Sequence, residues 1–505
     1  MFSSFARELI EDPAGNELLV ALSKCTEETV PMSASLKAIH SDHNVVECII
    51  GSDIIFTRDF YANLLVDIRL LRKCILIGNP GIGKSYFQLY YLARIMNPSV
   101  FGPLPSDSNG CTDAPRVVIR QEGSEMTIYD IENRVAYECD ANKLLLKCFD
   151  PKVTLYLYEP GNLKTEPYFD GLRLPILATV SPDSSRYKEF SKNKATKLYM
   201  PTYTCDELLA AGDYLLKRGR VTDDMTELYS PDEIKKRYND FGGIIRHALP
   251  DSVTILGDIY KKSELAVGNC DAKGIISNLN TIEDEMVSSF VMAMVVQRSG
   301  LERFRNFNTT FVSDNIRIKI EEKVMSVSLA DRITVLLKND QSGVYDKQSQ
   351  NLYEGVLATL FTTPPGVIWT QRIALADELV EFKVKLQSIQ RGSCPKFKDM
   401  VWGVLYWPSQ DNFPAVEFFY KSEEGNLMAF QVTRQKNKEK IVKVSAYEKF
   451  LMEVGLEDST KVILHLVHIP AMALFSSIKF VPDSYKLKPE CRVIQVSKDC
   501  KPVHG

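Results

Sequence analysis

The chain is poor in histidine and tryptophan, has no paired cysteines, and contains no apolar run long enough to span a membrane. Six histidines in 505 residues are too few and too dispersed for a metal cluster. His465 and His468 share an apolar strand-like run, where structural imidazoles are expected rather than ligands. The eleven cysteines are scattered from Cys25 to Cys500, with no C-x-x-C and no paired Cys/His spacing. That argues against a structural zinc site and fits a reducing compartment. Excess charge of either sign is also missing. A net charge of −4 gives no global pull toward nucleic acid, so any such contact needs a local patch. The N-terminus (MFSSFARELIEDPAG) lacks a basic start followed by an apolar core, so no secretory signal is visible. There is no internal repeat and no low-complexity tail.

What is present is a globular composition, 45% hydrophobic and 25% charged, at a length that sets an expectation of about three domains. The most informative stretch is Lys73-Cys-Ile-Leu-Ile-Gly78-Asn-Pro-Gly-Ile-Gly83-Lys84-Ser85. It reads as an apolar strand, then G-x-x-x-x-G-K-S over Gly78, Asn79, Pro80, Gly81, Ile82, Gly83, Lys84 and Ser85, then a helix from Tyr86 to Met96. A phosphate chain needs that order. Glycines let successive backbone N–H groups turn inward, and the helix N-terminus adds its dipole. Lys84 can reach the β and γ oxygens, and the Ser85 hydroxyl can ligate Mg²⁺.

Around this loop the pattern alternates. Residues 1–50 read as a mostly polar helical lead-in, and Phe60–Leu71 as an amphipathic helix feeding the loop strand. Asn97–Ala114, rich in Pro, Gly, Ser and Asp, reads as a surface connection. Strands are expected at Arg116–Arg120, Met126–Ile131 and Val135–Glu138, then at Val153–Tyr158 and Leu174–Val180. Helices at Cys205–Lys217 and Pro231–Asp240 follow. Strands alternating with helices over 51–255 imply an α/β domain built on a parallel sheet. Residues 256–340 turn helical, with Met286–Gln297 strongly apolar. Region 341–505 reads as a helix (Leu352–Leu360), strands Trp402–Trp407, Val416–Tyr420 and Leu427–Thr433, a helix Ala446–Val454 and a strand Val462–Val467.

Hydrolysis at such a loop needs a carboxylate at the end of a neighbouring strand, to hold Mg²⁺ or orient water. Glu159, at the carboxyl end of Val153–Tyr158, is the candidate. The usual Asp one position earlier is absent, because Tyr158 stands there. The bland alternative is a solvated strand-end glutamate. Thr179 and Ser181-Pro182 end the next strand, where a hydroxyl could sense the γ-phosphate or simply make a turn. Gly242-Gly243 opens a short helix, from which Arg246 could swing toward the phosphates. No guanine-specific N-K-x-D follows the loop.

The segments ILIGNPGIGKS, LYLYEP, SPDSSRYKEF, LYMPTYTCDEL and RYNDFGGIIR occur in the order found in the Crinkler effectors of oomycetes and the related retrotransposon hot spot proteins of trypanosomes. The chain resembles these over about residues 55–250, and more weakly to about 470. The resemblance implies an ATPase of the signalling type, with ATP and Mg²⁺ as its nucleotide and metal, fused to an effector domain. That domain is often a restriction-endonuclease-like nuclease, and such proteins act in a host or cell nucleus. The N-terminal translocation segment of secreted members is not evident here.

For 341–505 the element order matches the PD-(D/E)xK nuclease core, which needs two acidic groups on adjacent strands and a nearby lysine. Glu417 is placed like the first metal carboxylate, Gln431 like the second acidic position, and Glu354 like a helix glutamate that joins such sites. Thr433 stands where the lysine is expected. Arg434, Lys436, Lys438 and Lys440 follow and are candidate substitutes, or simply a solvated basic turn. Lys235–Tyr238 (KKRY) reads as a solvated helix face. The expectation is therefore an ATP-binding and hydrolysing regulator whose C-terminal domain meets DNA or nuclear proteins, with no membrane association. A non-hydrolysing, nucleotide-bound interaction module with a degenerate nuclease fold is the alternative.

Overall fold

The fold is organised by strands too apolar to face water on either side. The structure is a computed structural model that describes residues 9–41, 54–108, 110–140, 146–161, 172–192, 194–270, 285–326, 367–372, 379–383, 386, 388–391, 394–408, 416–433, 439–456, 461–468, 477–481 and 490–495. The chain divides into two compact units, one formed by Met1–Cys270 with Leu279–Ile320, the other by Asp271–Asn278 with Glu321–Gly505.

The first unit begins with β1 (Ile10–Glu11), α1 (Pro13–Lys24), β2 (Thr26–Thr29), β3 (Leu36–His40) and β4 (Ile54–Arg58). The expected helical lead-in is thus one helix among strands. Strands β2, β3 and β4 form a small antiparallel sheet of their own. The polar Thr-Glu-Glu-Thr of β2 has no apolar alternation to announce it, and its neighbour β3 decides its conformation. Next come α2 (Tyr61–Leu71), β5 (Lys73–Ile77), α3 (Lys84–Met96), β6 (Val117–Glu122), β7 (Glu125–Asp130), β8 (Val135–Asp140), β9 (Thr154–Glu159), β10 (Ile176–Val180) and β11 (Thr196–Tyr199).

These build one eight-stranded sheet in the order β1-β8-β7-β6-β9-β10-β5-β11. The run β6-β9-β10-β5-β11 is parallel throughout, and β7, β8 and β1 extend it as an antiparallel edge. Every residue of β10 is buried, as expected of a parallel strand covered on both faces. The α1 helix is tied to β8 by Asp12 N–H to Ala136 O (2.9 Å) and Ala136 N–H to Asn16 Oδ1 (2.6 Å). The expected mixed α/β fold with a large parallel-rich sheet is therefore present.

Helices α4 (Cys205–Lys217), α5 (Pro231–Phe241) and the short α6 (Ile245–Ala248) pack against β3 and β4 in a core that includes Phe56, Tyr203, Leu208, Tyr214 and Ile234. Inside it lies an ion pair with both side chains almost wholly buried. Arg58 donates through Nε and Nη2 to the two Glu207 oxygens (3.1 and 2.8 Å) and through Nη1 to Pro201 O (2.6 Å). Glu207 also closes a capping box with Thr204 at the start of α4. Arg237 in α5 is fully buried too, donating to Ala248 O (2.7 Å), so the KKRY segment is only in part a solvated face.

After α7 (Val253–Asn269), the expected helical region holds α8 (Glu285–Phe290), an antiparallel hairpin of β12 (Met292–Val296) and β13 (Phe307–Phe311), and α9 (Asp314–Ser326). The apolar run at Met286–Gln297 therefore splits into a helix and a strand. Periodicity cannot separate the two in so short a run, and pairing with β13 decides it.

The second unit is an eight-stranded sheet of β14 (Val367–Arg372), β15 (Leu379–Lys383), β16 (Ser388–Arg391), β17 (Val404–Trp407), β18 (Phe418–Lys421), β19 (Leu427–Thr433), β21 (Val462–His468) and β23 (Glu490–Gln495), in the order β15-β14-β23-β21-β19-β18-β17-β16. A separate parallel pair is formed by β20 (Glu439–Lys443), which leads directly into α10 (Val444–Val454), and β22 (Ser477–Val481). Tyr447, Phe450 and Val454 of α10 are buried against Phe419, Leu427, Ala429 and Leu464. The three strands, the helix and the following strand expected for 402–467 are present, with β20 inserted between β19 and α10, while the expected helix Leu352–Leu360 lies outside the described residues.

Candidate functional site

The loop joining β5 to α3 follows from its glycines. Gly81 and Gly83 adopt φ of +77° and +90°, a region that side chains disfavour. At Gly81 an added Cβ would sit 2.9 Å from Arg246 Cβ, so the bare backbone lets α6 approach the loop. Arg246 N–H donates to Gly81 O (3.3 Å), and the Arg246 side chain is exposed. The paired glycines ahead of it are required by packing. A Cβ on Gly242 would lie 1.9 Å from Val312 O, and one on Gly243 1.9 Å from Tyr203 O.

Lys84 lies at the first turn of α3, and its Nζ donates to Gly78 O and Asn79 O (2.9 Å each). The ammonium thus stays at the loop rather than pointing away from it. Burial depresses its pKa to about 8; Arg246 and Arg186 push the same way, and Glu159 opposes them. The Ser85 hydroxyl donates to Glu159 Oε1 (2.8 Å). The other oxygen, Glu159 Oε2, is buried and has no hydrogen-bond partner among the described residues. Burial raises the Glu159 pKa, with Ser85 partly offsetting that effect. A divalent cation between the hydroxyl and the carboxylate would satisfy the orphaned oxygen and favour its charged form. Among the described residues no group of three or more His, Cys, Asp or Glu side chains is placed to hold a metal, so water and phosphate oxygens would complete such a shell.

Glu159 reaches Ser85 although its strand is not next to the loop strand. β10 lies between β9 and β5, where an adjacent carboxylate strand was expected. That intervening strand brings its own end into the site. Thr179 is buried and its hydroxyl accepts from Gln88 Nε2 (2.8 Å), whereas the Ser181 Oγ is buried with no hydrogen-bond partner among the described residues. Of the two hydroxyls expected near a γ-phosphate, Ser181 is the open one.

Asn79 falls within the expected phosphate loop, but the contacts of its side chain were not visible in the sequence, and neither were Gln88, Arg186 and Glu122 as site residues. Asn79 is completely buried: its Nδ2 donates to Ser288 O (2.6 Å) and Met292 O (2.7 Å), and its Oδ1 accepts from Met294 N–H (3.0 Å). Gln88 also donates to Tyr158 O (3.2 Å), fastening α3 to the end of β9. Arg186, held by Gly161 O (2.9 Å) and Asp183 Oδ2 (3.4 Å), contributes positive charge near Lys84. Glu122 ends β6 in register with Glu159. All are long-range contacts that no local pattern announces.

In the second unit, Glu417 immediately precedes β18, and its N–H donates to Phe430 O (2.8 Å), which sets it beside Gln431 of β19. Gln431 Oε1 is buried with no hydrogen-bond partner among the described residues. Glu354, Arg434, Lys436 and Lys438 lie outside the described residues. Lys440 falls in β20, and Thr433 ends β19.

No protein-family model matches the chain, and no curated protein matches it. Among solved structures, a RuvB point mutant from Thermotoga maritima is similar at 13% identity, over 44% of this chain and 75% of that one, with a TM-score of 0.21. The Thermotoga maritima RuvB Holliday junction branch migration motor is similar at 12% identity, over 43% of this chain and 73% of that one, with a TM-score of 0.18. The Saccharomyces cerevisiae Hsp104–ADP complex is similar at 13% identity, over 65% of this chain and 51% of that one, with a TM-score of 0.23. No helix among the described residues is long and apolar enough to cross a membrane.

Proposed function

We propose that the first unit binds ATP with Mg²⁺ at Gly78–Ser85 and hydrolyses it as a regulatory step. The observation that carries this reading is the Ser85–Glu159 contact beside a glycine loop, with the second Glu159 oxygen left unpaired. Backbone amides from Gly81 to Ser85 would hold phosphate oxygens at the start of α3. Mg²⁺, when bound, supplies charge neutralisation for the leaving phosphate. Ser85 and Glu159 would hold it, Lys84 would neutralise the β and γ oxygens, and the exposed Arg246 guanidinium would close over the phosphates from α6. Ser181 offers a donor to a terminal phosphate oxygen. Positioning and electrostatics, not a covalent intermediate, are what these groups provide.

In the same reading the second unit is the output. Its strand order, and the side-by-side placement of Glu417 and Gln431, support a nuclease-like module that meets DNA in a nucleus, in keeping with the Crinkler and retrotransposon hot spot resemblance. Lys84→Ala tests the core of this reading. It should abolish ATP binding by calorimetry and phosphate release, and turnover unchanged from the parent would refute it. Glu417→Ala should leave ATP turnover intact while removing any Mg²⁺-dependent nicking of plasmid DNA.

A further inference from the structure

The loop site has one carboxylate committed to Ser85 and no second one along its own strand, because Tyr158 precedes Glu159 and Pro160 follows it. The neighbouring strand supplies the second. β6 pairs with β9 in parallel from Val117↔Thr154 to Glu122↔Glu159, and Gly123 N–H donates to Glu159 O (2.9 Å) one step further on. Register partners in a parallel ladder project from the same face, on strands about 5 Å apart. Glu159 uses that face to reach Ser85 of α3, so Glu122 stands on the side of the sheet where the nucleotide would lie.

Two glycines stand at the two strand ends. Gly123 and Gly161 meet there, and a Cβ on Gly161 would come within 3.3 Å of Gly123 backbone atoms. The two carboxylates have different surroundings. Glu159 is tucked in with an unpaired oxygen, while the Glu122 side chain is 53% exposed and rests on Arg120 Nη2 (2.7 Å). Arg120 is itself mostly covered, with a side-chain exposure of 13%. A carboxylate bound to a hydroxyl in a buried place suits a cation. A carboxylate that faces water and is oriented by an arginine is placed to take up a proton from it.

Resting on the reading of this loop as an ATP-hydrolysing site, we infer that Glu122 is the general base for the attacking water. The water oxygen forms a bond to the γ-phosphorus as the bond from that phosphorus to the β,γ-bridging oxygen breaks. The electron pair of the broken bond leaves with ADP, the water proton passes to the Glu122 carboxylate, and Glu122 later returns it to solvent. Glu159 keeps its place on Ser85 throughout.

The experiment compares the full chain with Glu122→Gln and with Glu125→Gln, a carboxylate in the same turn. Phosphate release with Mg²⁺ and the Kd of a non-hydrolysable ATP analogue are read for each. Glu122→Gln should lower kcat by about 100-fold or more, within the range of a lost general base. Its analogue Kd should stay within about twofold of the parent and its unfolding midpoint should not move, as expected for an uncharged replacement of a half-exposed side chain. Glu125→Gln should match the parent. Turnover of Glu122→Gln within about threefold of the parent overturns the assignment, as does a loss of affinity that accounts for the lost rate. A parent chain that binds no nucleotide, or binds it without turnover, overturns the underlying ATPase reading and this role with it; the parent trace alone shows that outcome.

Discussion

Lys84 is the residue on which charge and pH meet at this site. Its pKa of about 8 comes first from burial; Glu159 opposes that shift, and the guanidinium groups of Arg246 and Arg186 add to it. A polyphosphate between these cations would favour the ammonium form and raise that pKa. Below about pH 8 the free residue is already charged, so affinity should be level there. Above it, binding must take up a proton, and affinity falls by as much as tenfold per pH unit. The expected outcome is an ATP Kd about tenfold weaker at pH 9 than at pH 7, with proton uptake visible in buffers of different ionisation heat. Lys84→Arg, whose guanidinium stays protonated, should flatten that dependence. A parent Kd constant across this window would contradict the assignment. Lys84, Ser85 and Glu159 were legible in the sequence because a short motif and a strand end specify them locally. Glu122 and Arg186 were not, because strand register and a distant turn bring them to the site.

Among the elements, the loop and the α8–β12 segment are fastened together by one side chain. Asn79 takes two carbonyls and one N–H from residues 288–294, and all three bonds are buried. His247 adds a second link from the Arg246 helix, its ring stacked on Phe290 at 4.6 Å and 4°. Burial pushes the His247 pKa down to about 4, so the ring is neutral and packs as an aromatic. A loop that tightens on phosphate therefore acts directly on the start of the β12–β13 hairpin. Asn79→Ala leaves Ser288 O, Met292 O and Met294 N–H without this partner, a loss of roughly 1–3 kcal/mol if they stay buried. Hydrogen exchange across 286–296 should quicken in that variant and stop responding to ATP, while ATP still binds. Unchanged protection would show that the clamp carries no coupling. The sequence announced none of this, since its apolar run at 286–297 reads as one helix until β13 supplies a pairing partner. Of the parallel strands, β5, β6, β9 and β10 were readable because burial leaves them mostly apolar, as in Ile176–Val180, whereas the Thr-Lys-Leu-Tyr of β11 gave no strand signal. The polar β2 had no such signature.

At the scale of the whole molecule, the two units have separate apolar cores, one around Phe56, Tyr203 and Tyr214, the other around Phe419, Tyr447 and Phe450. Two cores can melt in two steps, and the nucleotide reading then makes a directional claim. A ligand that binds only the folded first unit stabilises that unit by RT ln(1 + [L]/Kd), about 2.7 kcal/mol at a hundredfold excess over Kd. For a unit of this size that amounts to a shift of several degrees. Calorimetric heating with Mg²⁺ and saturating ATP analogue should raise one transition and leave the other in place. Lys84→Ala should erase the shift without moving either transition of the unliganded chain by more than a few degrees. If both transitions rise together, the units unfold as one block and nucleotide free energy reaches the C-terminal sheet directly. If neither rises, Gly78–Ser85 is a structural turn, and the switch proposed for this chain has no trigger.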